Sequence, residues 1–191
     1  MTGICPKPVL AVAAAALLTG AAACGSSSSS SAKASPSATS MSGTESFTGS
    51  ATGKAAVANN TTFPLTWSGP VKTTSTFSTG GSGPKKGQHH TFKTAAGNFV
   101  VVVSGKPTTV QHASATTCYF SQVVTVPYTV DGAASTGKFA GATGTGTAVV
   151  TFAAYGPKLS NGKCNQSNSA VPLAKGASAT FKGTGPLTVK S

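Results

Sequence analysis

Cys118-Tyr119-Phe120-Ser121-Gln122-Val123-Val124-Thr125-Val126-Pro127-Tyr128-Thr129-Val130 has a period of two. Cys118, Phe120, Gln122, Val124, Val126, Tyr128 and Val130 share one phase, and Gln122 is its one polar lapse. Successive side chains of a strand point to opposite faces, so the alternation reads as a long strand with one face in a core. Asp131-Gly132 directly behind it predicts a hairpin turn with positive φ angles.

The same signal continues on both sides. Phe63, Leu65 and Trp67 alternate with other residues, and Phe99 to Val103 is an unbroken apolar run, mostly β-branched. Such a run predicts a strand covered on both faces. Ala148 to Phe152, Thr180-Phe181 and Leu187-Thr188-Val189 predict further short strands. Gly80 to Pro84, Gly105 to Pro107, Gly156-Pro157 and Asn161-Gly162 punctuate the gaps as turns. No window carries a sustained 3.6-residue period. Short strands at regular spacing define an all-β domain, either an antiparallel β-barrel or a β-sandwich.

Ser135-Thr136-Gly137-Lys138-Phe139-Ala140-Gly141-Ala142-Thr143-Gly144 resembles the G-T-G-x-F-x-G-A-x-G strand of the allene oxide cyclase and dirigent-like β-barrels. Phe181-Lys182-Gly183-Thr184-Gly185-Pro186-Leu187 resembles the closing strand of that pattern, and bacterial secreted lipoproteins of actinobacterial type look similar here. The resemblance covers under a fifth of the chain. It implies a closed antiparallel barrel with a polar or ligand-lined mouth. Gly137, Gly141 and Gly144 suit a strand that bends or lets another backbone approach. The family's chemistry does not carry over, because its charged groups inside the barrel have no counterpart in a chain without Arg.

The N-terminus reads as an address. Met1 to Pro8 carries one cationic side chain, Lys7, and Val9 to Leu18 is purely apolar. That core is shorter than the roughly 20 residues a spanning helix needs, so residues 1–23 are expected to be a secretory signal peptide. Ala21-Ala22-Ala23 suits ordinary signal peptidase. The same residues ahead of Cys24 resemble a bacterial lipobox, with Ala21 where that motif most often has Leu. Both readings cut before Cys24. Gly25 and the run Ser26 to Ser31 favour lipidation, since a surface-anchored domain needs a hydrophilic leash. Residues 24–45 are therefore expected to be a lipidated Cys24 and a disordered Ser/Ala/Thr-rich tether, with a single β domain over 46–191.

Cysteine arithmetic agrees. Cys5 leaves with the leader, and the mature chain keeps Cys24, Cys118 and Cys164. Acylation of Cys24 removes the odd thiol, leaving Cys118 and Cys164 to form a disulfide in an oxidising compartment. The expected location is the extracytoplasmic face of the cell membrane.

All 14 basic residues are Lys. Without Lys7 the mature chain has 13, against Glu45 and Asp131 as the only acids, a formal charge of +11. Nucleic-acid binding is not expected, because base and phosphate readout lean on Arg and the lysines are scattered. The charge does allow weak attraction to anionic lipid headgroups or cell-wall polymers. Glu45 at the tether junction and Asp131 in a turn cannot flank a bond as paired carboxylates. No G-x-S-x-G elbow is present. His89, His90 and His112 could meet on a metal only from a loop, and are expected to be exposed near a turn. Gly80 to Lys86 lacks G-K-[ST] and a following helix, so it reads as a hairpin tip. Trp67, Tyr119, Tyr128 and Tyr155 are candidates for a half-wet ligand site. No catalytic, cofactor-binding or metal residue is assigned. The expected function is an envelope-anchored binding or interaction module of unknown ligand. The alternatives are a structural surface lipoprotein and, less favoured, an isomerase-like barrel enzyme.

Overall fold

A computed structural model describes residues 39–58, 62–78, 83–167 and 170–190. The signal peptide, Cys24 and the tether up to residue 38 lie outside the described residues, as do residues 80–82 of the expected hairpin tip. The described chain runs β1 (Ser40–Thr52), α1 (Lys54–Val57), β2 (Thr62–Ser68), β3 (Thr74–Ser78), β4 (His89–Thr94), β5 (Gly97–Val103), β6 (Thr108–Ala113), β7 (Tyr119–Val130), β8 (Thr143–Tyr155) and β9 (Leu173–Lys190).

The strands form a closed antiparallel barrel of eight, β1-β2-β3-β4-β5-β7-β8-β9 and back to β1. The last strand pairs with the first over its full length, from Ser40 opposite Lys190 to Thr52 opposite Ser178. The seam closes where β5 meets β7, Val101 opposite Val130 and Val103 opposite Tyr128. β6 stands outside the ring. It continues along the same edge of β7 above β5, with Thr108 opposite Thr125 and Ala113 opposite Phe120. All six of its residues are exposed.

The barrel has two unlike ends. The start of β1, the β4–β5 turn and the β7–β8 connection form a closed end, plugged by the fully buried Phe139. Below the middle, Phe47 stacks on Trp67 at 4.5 Å between ring centroids, and Trp67 meets Phe99 edge-on at 5.1 Å. Two inward glycines make room for these rings. A Cβ on Gly183 would strike the Phe47 ring, and one on Gly146 would strike the Tyr128 hydroxyl. Inward Ala148 leaves space beside it in the other half of the lumen. The Trp67 indole nitrogen donates to Ser75 Oγ at 2.8 Å, which satisfies the one polar atom of the largest core ring.

Several expectations hold. Phe99 to Val101 are buried on both faces, because the 131–136 segment lies along β5: Asp131 N donates to the Val100 carbonyl and Val100 N to Ser135 Oγ, each at 2.9 Å. Cys118 and Cys164 form a disulfide. It ties the β6–β7 turn to the long excursion between β8 and β9.

Four expectations are corrected. The connection after β7 is not a two-residue hairpin. Asp131 instead caps a loop, its Oδ1 accepting from Ala134 N at 3.0 Å, and Gly132 does not take a positive φ. The Ser135–Gly144 stretch is not a strand. Its first part is loop with a 3-10 turn over Gly137–Phe139, Gly137 and Gly141 take positive φ, and β8 begins only at Thr143. Thr180-Phe181 and Leu187 to Val189 are parts of one 18-residue strand, β9. The folded domain starts ahead of residue 46, at Ser40, so Glu45 lies inside the barrel rather than at a tether junction.

Candidate ligand-binding lumen

The open half of the barrel encloses a cavity of about 650 Å³, within the range of small-molecule sites. Eight strands make a ring wide enough either to be filled by side chains or to hold one small ligand. Here the rings of Phe47, Phe92, Tyr128 and Phe181 make the floor, and Val101, Val124, Val126 and Val150 stand in the walls. Gly83, Pro84, Lys106 and Pro107 border it at the mouth, beside Thr109 and Gln111 of β6. The mouth lies where β4 has not yet begun and β5 has given way to β6.

Two polar side chains enter this apolar space. On β7 the inward phase carries Gln122 ahead of Val124, Val126 and Tyr128. Gln122 is 9% exposed, and its Oε1 has no hydrogen-bond partner. On β4, His90 shares the inward phase of buried Phe92, and its Nε2 is likewise buried and unpartnered. Both residues sit toward the mouth. Gln122 pairs with Gln111, and His90 is the second residue of its strand. A buried polar atom without a partner costs about 1–3 kcal/mol, so this arrangement favours a molecule that supplies the missing bonds. A ligand hydroxyl or amide can donate to Gln122 Oε1, and the imidazole Nε2 can donate or accept according to its tautomer.

The lumen is electrically quiet. Burial, and then the neighbouring His89 charge, hold the His90 pKa below its usual value, which favours neutral imidazole. Burial, helped by the Glu45 carboxylate, pushes the Tyr128 hydroxyl up to about 12. Glu45 itself is 2% exposed at the closed end and does not line the cavity. Its Oε2 accepts from Val71 N at 2.9 Å while Oε1 is unpartnered, and burial raises its pKa to about 7 against the pull of that one hydrogen bond.

The structure separates the three histidines. His89 points outward, its Nδ1 3.4 Å from Asp131 Oδ2, while His90 points inward and His112 is exposed on β6. Among the described residues no three His, Cys, Asp or Glu side chains group as a metal site. The expectation that His90 is an exposed turn residue is therefore corrected. Of the aromatic candidates only Tyr128 lines the cavity; Trp67 is core, and Tyr119 and Tyr155 meet each other at the rim. Gln122 was visible as the polar lapse in β7. His90 and Glu45 were legible only through phase, His90 two residues before Phe92 and Glu45 two before Phe47.

No protein-family profile, curated protein or solved structure matches this chain. Among the described residues, no helix is long and apolar enough to cross a membrane.

Proposed function

We propose that this protein is an envelope-anchored binding module that holds a small, largely apolar molecule in its barrel lumen. The observation that carries the reading is the 650 Å³ apolar cavity in which Gln122 Oε1 and His90 Nε2 are both left without partners. A protein that needed only a solid core would fill that space, since interiors otherwise pack like crystals. The ligand lies with its apolar body on the Phe47, Phe92 and Phe181 rings and its hydrogen-bonding end toward the mouth. Holding is favoured over transformation, because among the described residues His90 has no carboxyl beside it in the lining: Glu45, whose pKa is near neutral, sits outside it.

Anchoring through Cys24 is supported by the small residues before it, the Ser-rich leash behind it, and the cysteine count. With Cys118 and Cys164 paired, Cys24 is the thiol left over once the leader is removed. Two acyl chains on one cysteine give stable attachment where one is marginal. β1 begins at the end of the barrel opposite the mouth.

The lumen reading is tested with N-phenyl-1-naphthylamine, a neutral fluorophore that brightens in apolar sites. The full-length chain should take it up with one-to-one stoichiometry. Ala148→Phe, which puts a ring into the cavity, should abolish uptake while the far-ultraviolet spectrum stays that of a β protein. Absence of uptake by the wild type, or equal uptake by Ala148→Phe, would overturn the reading.

A further inference from the structure

The rim of the barrel opposite the start of β1 carries aliphatic side chains that the core does not use. Val171 is 70% exposed, and Leu159 and Leu173 are close to half exposed. Leu159 and Val171 belong to the excursion between β8 and β9, and Leu173 opens β9, where it pairs with Tyr155. The Tyr155 ring stands over Gly176, which a Cβ would bring to 3.1 Å, and meets Tyr119 at 5.4 Å. This surface is held in place. Leu159 N donates to the Lys163 carbonyl at 2.7 Å, Lys158 bridges to Cys164, and the disulfide ties that small hairpin to the β6–β7 turn.

Three exposed lysines belong to the same segments. Lys158 and Lys163 flank Leu159, and Lys175 follows Leu173 by two residues. Glu45 lies at the closed end, and Asp131 follows the end of β7 remote from Tyr119 and sits against His89, so no carboxylate among the described residues offsets this rim.

We propose that this rim is a contact surface for an anionic lipid bilayer. Exposed aliphatics beside lysines, with tyrosines at the boundary, match what an interfacial surface requires: apolar side chains to enter the acyl boundary, ammonium groups to meet phosphates, and phenols at headgroup level. A cell-wall polyanion would engage the lysines and leave Leu159, Val171 and Leu173 unused. The inference is independent of what the lumen holds. It does give the mouth a position, since the cavity opens at the same end of the barrel as this rim.

The test is co-sedimentation of the purified chain from residue 24 onward, carrying Cys24→Ala, so that neither the apolar leader nor an acyl anchor contributes. One set of vesicles is phosphatidylcholine alone, and the other is one-quarter phosphatidylglycerol. The expected result is binding to the anionic vesicles that exceeds binding to the neutral ones. Replacing Lys158, Lys163 and Lys175 together by Gln should weaken it by on the order of a hundredfold, three lysines' worth of attraction near such a surface. Replacing Leu159, Val171 and Leu173 together by Ser should weaken it by about tenfold or more, from the loss of inserted apolar area. All six positions are outside the core, and unchanged circular dichroism confirms the fold of each variant. Absence of binding to anionic vesicles overturns the proposal. So does wild-type binding by the Leu159/Val171/Leu173 variant, which would show adsorption to negative charge alone.

Discussion

Glu45 is a carboxyl enclosed within the barrel wall, 2% exposed. It belongs to the inward phase of β1 with Phe47 and Ala51, and the turn after β2 folds over it so that Val71 N reaches its Oε2. One amide is a poor exchange for the hydration of a carboxylate, which is why burial raises its pKa from 4.5 to about 7. A carboxyl with a raised folded pKa contributes fully below its unfolded pKa, and that contribution is lost as pH rises through the folded value. Wild-type stability relative to Glu45→Gln should therefore fall by about 3 kcal/mol between pH 4.5 and pH 7 and stay level above that, at 1.36 kcal/mol per pH unit. His90 acts with the opposite sign: its lowered pKa favours the folded state more as pH rises toward 6.5. Taking the difference between the two proteins cancels it. Urea unfolding of both across this range is the measurement. A pH-independent difference would mean that the carboxyl is as well solvated folded as unfolded.

At the scale of elements, what was legible followed periodicity, and what was not followed tertiary contact. β7 was read from its own alternation, with Gln122 standing out as the lapse that proved to face the cavity. In sequence β9 looks like two fragments because Gly183, Gly185 and Pro186 break strand propensity, yet Gly183 is there because Phe47 needs its space. The 135–144 stretch carries strand-like glycines but folds as a plug, because Phe139 is drawn into the closed end of the barrel. β6 shows no alternation of burial, so no sequence period marks it. The disulfide was legible from counting alone. It closes a separation of 46 residues and joins the β6–β7 connection to the β8–β9 connection. Cys118→Ala with Cys164→Ala should cost about 2–5 kcal/mol in urea unfolding, and amides of the 156–166 segment should lose exchange protection before those of β7 and β8. Unchanged stability would show that the excursion is held by its own hydrogen bonds.

The whole molecule is asymmetric in charge and in access. The chain enters at Ser40, opposite Lys190 at the closed end, while the mouth and the apolar rim lie at the other end. Taken as the leash that its Ser-rich composition predicts, the stretch from Cys24 to Ser40 would have a root-mean-square reach on the order of 20 Å. Fully extended it would span about 50 Å, more than the roughly 40 Å of a 13-residue strand such as β1. A barrel tethered at Cys24 could therefore lie over and bring its lysine-bearing rim to the bilayer that holds its anchor. On the proposed reading, two attachments of unlike physics would act together, one hydrophobic and indifferent to salt, the other electrostatic and screened by it. Cys24→Ala should remove the first and leave the second. The expected outcome is loss of labelling by a fatty-acid precursor and full release from the membrane fraction at high salt, with part of the protein retained at low salt. Wild-type protein should remain membrane-bound in both. If Cys24→Ala is labelled and fractionates like the wild type, the anchor is not on Cys24. If it is released equally at low and high salt, the rim adds nothing to attachment in the intact envelope.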